Sequence, residues 1–202
     1  MIGRQGRDAG QVFPIYMMMV AFLLLLAFAF FAVGKAAALR NGAQGAADSA
    51  ALAAASESRK QFEGPFLASL PGKMLDAFLQ GHPVLGCPAA SGFASENDAK
   101  LDRCQAMPGG YRDRIEVKVT GRGSVDSPVL PGSEKNRAER TATAVIEWRC
   151  PDWESVDFND DGVQDIYFFS CKGGDFLEIR PSSPPPWDRV SKILFDVRLV
   201  DD

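Results

Sequence analysis

An acidic stretch, residues 157–165, has the residue types and spacing of a metal-binding loop. It reads D-F-N-D-D-G-V-Q-D, which places oxygen ligands at its first, third, fifth and ninth positions and a glycine at the sixth, where a sharp turn is needed. The candidate ligands are the side chains of Asp157, Asn159, Asp161 and Asp165, with the main-chain carbonyl of Val163. Because a hard cation needs several oxygen ligands and relieves the repulsion between carboxylates, this stretch predicts a structural calcium site.

The residue at the twelfth position of this stretch is Phe168. A helix-loop-helix calcium site has a bidentate glutamate there, so the stretch does not predict an EF-hand. A short loop followed by the strand-like residues I-Y-F-F is more typical of calcium loops in β-rich extracellular proteins. An acidic hairpin turn is the alternative, because Asp-Gly is a common turn signal.

Residues for catalysis are scarce. The single histidine, His82, lies in Q-G-H-P, a loop-like context that predicts a histidine at the surface. The sequence contains no G-x-S-x-G motif and no glycine-rich phosphate-binding loop. We therefore expect that the protein is not an enzyme.

The longest predicted element of the chain begins with an apolar run, residues 12–33, which contains no charged residue. As a helix, its roughly 22 residues would rise about 33 Å, enough to cross a hydrocarbon core of about 30 Å. The run is longer than the apolar region of a cleaved signal peptide, which is one alternative, and the other is a buried core helix. We expect a single-pass membrane anchor in contact with lipid, preceded by a short cytoplasmic tail, residues 1–11.

Four cysteines, Cys87, Cys104, Cys150 and Cys171, all follow the apolar run, and none is in a C-x-x-C pair. An even number of well-separated cysteines beyond a membrane anchor predicts two disulfide bonds in an oxidising compartment. Three pairings are possible, and we favour Cys87–Cys104 and Cys150–Cys171, each closing a loop of about 20 residues worth on the order of 3 kcal/mol. Four reduced thiols are the alternative. With disulfides, the bulk of the chain lies outside the cell membrane and its N-terminus in the cytoplasm.

Charge and composition exclude a nucleic-acid partner. The chain has 202 residues and a net charge of −4, and its 22 lysines and arginines are dispersed. No basic block is present to neutralise a phosphate backbone.

An alanine-rich segment, residues 34–60, extends the predicted helix beyond the membrane. Small residues recur at every fourth position in it: Gly34, Ala38, Gly42, Ala46, Ala50 and Ala54. Such a stripe allows another helix to approach closely, so we expect Gly34, Ala38, Gly42 and Ala46 to pack against a partner helix, including a second copy of this chain. In so alanine-rich a segment, chance is the alternative explanation.

The same region resembles a known family. The motifs are G-Q-x-F-P-x-Y, which begins at Gly10, and R-N-x-A-Q-x-A-A-D-x-A-A-L-A-A-A, which begins at Arg40. Over residues 7–58 the chain is similar to TadE/TadG-like proteins, and most similar to the short TadG-related members. The resemblance implies a membrane-anchored accessory component of a Tad (Flp) pilus or a related secretion machine, with pilin-like or Tad secretion proteins as partners.

The remaining sequence, residues 61–202, predicts a small α+β domain. Helical spacing over residues 66–79 and 95–107 predicts short helices, and alternation at Ile115, Val117 and Val119 predicts a half-buried strand. Further strands are predicted over residues 141–149, 166–170, 176–179 and 193–200. The fold class is a long N-terminal transmembrane helix followed by a disulfide-bonded domain of helices and a mostly antiparallel sheet.

Two functions from different classes fit these observations. The first is a structural accessory protein whose N-terminal helix packs laterally against pilus or secretion machinery. The second is a membrane-tethered extracellular binding or adhesion module stabilised by calcium.

Overall fold

The computed structural model describes residues 12–124 and 136–200. The tail, residues 1–11, therefore lies outside the described residues. The helices are α1 (Val12–Gln61), α2 (Glu63–Ser69), α3 (Leu75–Gly81), α4 (Cys87–Glu96) and α5 (Trp187–Leu194). The strands are β1 (Ala99–Met107), β2 (Arg112–Ser124), β3 (Arg137–Trp148), β4 (Asp152–Val156), β5 (Ile166–Ser170), β6 (Phe176–Ile179) and β7 (Phe195–Val200).

Helix α1 is one unbroken helix of 50 residues with two different surroundings. Its apolar first half makes almost no contact with the rest of the chain, and large side chains such as Phe30 and Phe31 are 76% and 72% exposed. Its second half lies in the core of the head, by which we mean the folded part of the chain from residue 43 onward. Seven alanines of α1 are buried there: Ala43, Ala46, Ala47, Ala50, Ala51, Ala54 and Ala55.

A four-stranded antiparallel sheet, in the order β1-β2-β3-β7, packs against this half of α1. Ile115, Val117 and Val119 are fully buried on β2, and Ile115 and Val117 pair with Ala144 and Ala142 of β3. Small side chains on both the helix and β3 let the helix lie close to the sheet. The alternation of buried and charged residues along β2 is the pattern expected of a sheet with one face on the core.

A second antiparallel sheet, in the order β4-β5-β6, closes the core from another side. Phe66 of α2 lies at the centre of an aromatic cluster, with ring centroids 5.4 to 6.3 Å from those of Phe78, Trp148, Phe169 and Trp187. The aromatic cluster joins the short helices to both sheets.

Two disulfide bonds hold the head together. Cys87–Cys104 joins the start of α4 to β1, and Cys150–Cys171 joins the end of β3 to the end of β5. The second bond therefore links the two sheets. Each disulfide joins two cysteines that are consecutive in the sequence, which is the pairing favoured above.

The α+β fold class, with antiparallel sheets and two disulfides, is confirmed. The helix predicted over residues 95–107 is wrong, because Ala99–Met107 is strand β1, paired with β2 along its length. Helix α4, strand β4 and helix α5 were not predicted from the sequence. Because α1 supplies seven buried alanines to the core, the head also begins well before residue 61, the predicted domain boundary.

Candidate functional site

The stripe of small residues on α1 turns from solvent into the core along its length. A helix advances about 100° per residue, so a step of four residues turns the stripe by about 40° around the helix axis. Gly34, Ala38 and Gly42 are exposed on α1, whereas Ala46 is only 1% exposed. Of the four predicted helix-packing residues, the first three are accessible to a partner and Ala46 contacts the chain's own head.

The exposed part of the stripe borders a cleft of about 520 Å³. Ala38 and Gly42 line the cleft together with Asn97, Asp98 and Arg122 of the head. No heavy atom lies within 4 Å of a Cβ atom built on Gly34 or Gly42. The surface therefore offers space directly beside Gly34 and Gly42, with Leu39 and Arg122 at the border of the cleft.

The polar residues between these alanines make hydrogen bonds along α1 and to the residue after α4. Gln44 donates to Asp48 of the same helix at 2.9 Å, and Asn97 donates to the Ser49 hydroxyl at 3.1 Å. The order of polar and alanine residues in the sequence motif thus corresponds to polar contacts at the helix edge and close packing on its buried face.

The acidic loop, residues 157–165, folds around its own side chains. Asp157 accepts a hydrogen bond from the Gly162 N–H at 2.8 Å, Asp161 accepts one from Val163 at 2.8 Å, and Asp165 accepts one from Phe158 at 2.8 Å. Desolvation alone would raise the pKa of Asp157, but the main-chain N–H groups of the loop lower it below its ordinary value. These N–H groups therefore favour the ionised form of the Asp157 carboxylate.

All five predicted calcium ligands lie on this loop. Gly162 has a φ of +87°, which is the sharp turn expected at the sixth position. Within residues 12–124 and 136–200, no group of three or more histidine, cysteine or acidic side chains converges as a metal site. Calcium binding by this loop stays a prediction.

The prediction that His82 lies at the surface is wrong. His82 is 5% exposed, its Nδ1 donates to the Phe78 carbonyl at 2.8 Å, and its Nε2 contacts the Asp113 carboxylate at 2.7 Å. The Phe62 and Phe78 rings lie 4.4 and 4.7 Å from the imidazole. The contact between His82 and Asp113 could not be predicted from a local sequence pattern, because the two residues are 31 positions apart.

Both partners of His82 are acceptors, an arrangement that suits the protonated ring. Desolvation alone would lower the pKa of His82, but Asp113 and the Phe78 carbonyl raise it above its ordinary value of about 6.5. The second oxygen of Asp113 accepts a hydrogen bond from the Gly109 N–H at 2.8 Å. The pair is closed off from solvent and links the end of α3 to β2.

In a comparison with known families, residues 10–57 match the family described as putative Flp pilus-assembly TadE/G-like. Residues 10–57 are similar to TadE/G-like proteins. The match covers about a quarter of the chain. Comparison with curated proteins and with solved structures gave no match.

The TadE/G-like segment coincides with α1 almost from end to end, since it covers both the exposed apolar half and the buried alanines. In the described part of the chain, this is the one helix long and apolar enough to cross a membrane. The segment therefore combines a candidate membrane span with the helix around which the head is built.

Proposed function

We propose that the chain is a membrane-anchored accessory protein of a Flp-type pilus or a related secretion machine. The observation that carries the proposal is the TadE/G-like match over residues 10–57, which includes the exposed stripe of small residues Gly34, Ala38 and Gly42. This stripe packs laterally against a helix of a pilin-like or Tad secretion protein, or of a second copy. The role is structural rather than enzymatic.

The proposed topology places the N-terminus in the cytoplasm and the head outside the membrane. The two disulfide bonds favour this orientation, because such bonds persist in oxidising compartments. The apolar half of α1 contacts lipid, since its large side chains have no contacts within the chain to replace lipid.

The cleft beside the stripe supports the lateral contact. Helices in membranes associate through small residues that let their backbones approach, and Ala38 and Gly42 present such a surface next to an open space of about 520 Å³. A partner helix seated there would contact α1 and the edge of the head at once.

The experiment is photo-crosslinking in native membranes with a photoreactive residue at Ala38. The matched control carries it at Ser91, which is also exposed but lies on α4, away from the stripe. We expect Ala38 to capture pilin-like or Tad-type secretion proteins, identified by mass spectrometry, and Ser91 not to. Capture of lipid alone at Ala38, or of the same proteins from both positions, would contradict lateral packing by the stripe.

A second test uses bulky substitutions. Gly42→Leu should abolish the pilus or secretion function while the head keeps its stability, because Gly42 is exposed and no heavy atom lies within 4 Å of a Cβ atom built there. Ala46→Leu is the comparison, and it should destabilise the head itself, because Ala46 is buried. Normal function with leucine at both Ala38 and Gly42 would remove the support for this contact.

The second candidate is a membrane-tethered extracellular binding module shaped by calcium. The observation that favours it is the acidic loop, whose carboxylates accept only main-chain and amide hydrogen bonds from the loop itself. In this case the head alone would retain activity after removal of the membrane span. The crosslinking experiment distinguishes the two, since a binding module has no need of partners at Ala38.

A further inference from the structure

The outer face of the second sheet carries an aromatic pair beside unpaired carboxylates. Strand register places Asp152, Ser170 and Phe176 in one row across the three strands, and Glu154, Phe168 and Glu178 in the next. The residues between these rows, such as Phe169 and Leu177, are buried on the opposite face. The outer face is therefore not part of the core.

Phe168 and Phe176 stack on this face with ring centroids 5.9 Å apart and an interplanar angle of 22°. Phe176 is 64% exposed, which leaves its ring accessible to a ligand. The two rings and the carboxylate-bearing strand β4 line a cavity of about 470 Å³. This volume is within the usual range of ligand pockets, roughly 300–1,000 Å³.

The carboxylates on this face differ in whether they have a basic partner. Glu178 on β6 accepts a hydrogen bond from Arg180 at 3.1 Å. Asp152 and Glu154 on β4 are exposed, and neither side chain has a hydrogen bond or ion pair with any described residue. The β4 side of the cavity therefore combines negative charge with aromatic faces, and both attract a lysine ammonium or an arginine guanidinium.

The β4 strand is also the edge of its sheet. It pairs with β5 on one side, and within the described residues no strand pairs with its other side. An extended peptide added to such an edge gains main-chain hydrogen bonds, and its alternate side chains lie on the same face. Basic residues two positions apart in that peptide would lie beside Asp152 and Glu154.

We propose that the β4 edge and the Phe168–Phe176 cavity bind an extended segment of a partner protein that carries lysine or arginine at alternate positions. The main chain of the segment pairs with β4. One basic side chain reaches over the aromatic pair, and the next pairs with the neighbouring carboxylate. This site is separate from the stripe on α1, and it neither requires nor excludes the contact proposed there.

The test uses the full chain in non-ionic detergent micelles and a fluorescent hexapeptide of alternating valine and lysine. The comparison peptide has the same composition, with its three lysines adjacent. Fluorescence anisotropy should show saturable binding of the alternating peptide, with affinity about ten-fold higher than for the block peptide, a difference of about 1.4 kcal/mol. Absence of saturable binding up to millimolar peptide, or equal affinity for both peptides, would overturn the proposal.

Variants locate the site. Asp152→Asn with Glu154→Gln should weaken binding about ten-fold or more, and Phe176→Ala should weaken it several-fold, because each removes part of the cation site. Phe158→Ala is the matched control, since Phe158 is 75% exposed but lies on the acidic loop, and it should bind as the parent chain does. Unchanged binding in the first two variants would overturn the proposal. So would sedimentation showing that the chain self-associates through this face and that Phe176→Ala makes it monomeric.

Discussion

Gly86 lies directly against the main chain of Ala54. A Cβ atom on Gly86 would overlap the Ala54 carbonyl oxygen, and the Gly86 N–H donates a hydrogen bond to the Ser58 hydroxyl at 2.8 Å. The segment before α4 thus crosses α1 at a point where a side chain does not fit. This contact fixes the buried half of α1 to the rest of the head.

We expect Gly86→Ala to destabilise the head by about 3 kcal/mol, the upper end of the range for overpacking, because the obstacle is main chain rather than a flexible side chain. Gly92→Ala is the control: it lies in α4 with nothing within 4 Å, and it should be neutral or stabilising by about 0.5–1 kcal/mol. Guanidinium unfolding in detergent, followed by tryptophan fluorescence, measures both. Equal stability of the two variants would show that the contact with Ala54 is not tight.

The His82–Asp113 pair predicts that stability depends on pH. Because the pKa of His82 is raised in the folded state, its contribution is fully present below about pH 6.5 and is lost as pH rises through the folded-state pKa. The unfolding free energy should fall over this window by at most about 1.4 kcal/mol per pH unit.

Asp113→Asn tests the cause of this pH dependence. It keeps an oxygen acceptor for His82 and removes the negative charge that raises its pKa, while the lost Gly109 hydrogen bond lowers stability equally at every pH. The fall in stability above neutral pH should become weaker or disappear in this variant. A wild-type chain whose stability rises between pH 6.5 and 8.5 would contradict the assignment.

Calcium should stabilise the head if the acidic loop binds it. With a dissociation constant of roughly 10⁻⁴–10⁻³ M, as in extracellular modules, calcium at ten times that value adds about 1.4 kcal/mol to the unfolding free energy. Isothermal titration calorimetry and thermal unfolding of the full chain measure both quantities.

Asp161→Asn removes a carboxylate and keeps the oxygen that accepts the Val163 hydrogen bond, at the loss of the Asn159 amide bond to the other oxygen. It should lose calcium binding, and the remaining main-chain hydrogen bonds to Asp157 and Asp165 should keep the loop. Glu63→Gln, an exposed position on α2, is the control and should bind like the parent chain. No heat of binding at millimolar calcium would identify the loop as an acidic turn held by its own side chains.

Truncation should reveal where the folding unit begins. A chain that starts at Gly34 retains all seven buried alanines of α1 and should unfold cooperatively. A chain that starts at Phe62 lacks them and should show no cooperative transition. Near-ultraviolet circular dichroism on heating distinguishes the two, and cooperative unfolding of the shorter chain would refute the assignment of α1 to the core.

Local sequence patterns predicted those helices and strands in which buried and exposed residues alternate with a clear period. Ile115, Val117 and Val119 alternate with charged residues, and they form the buried face of β2. Strands β5 and β6 were predicted with their observed bounds, since short runs rich in aromatic and branched residues lie between turns. The apolar run likewise predicted the exposed half of α1.

Long-range contacts were harder to predict. Residues 99–107 have helical spacing, yet pairing with β2 and the bond from Cys104 to Cys87 hold them as a strand. The small residues after Gly42 predicted a partner helix on another chain, but they pack against strands β2 and β3 and helix α4 of the same chain. In each of these cases the deciding contact comes from a distant part of the sequence, and composition alone carries no signal for it.

The unbroken course of α1 has a mechanical consequence. From Val33, where the apolar run ends, to Ser58, its last buried residue, the helix continues for about 38 Å without a break. In the proposed placement, the head packs on the same continuous helix that crosses the bilayer, with no flexible linker between them. Tilting or rotating the membrane span would therefore turn the head by the same angle, and a sideways force on the head would act as a torque on the span.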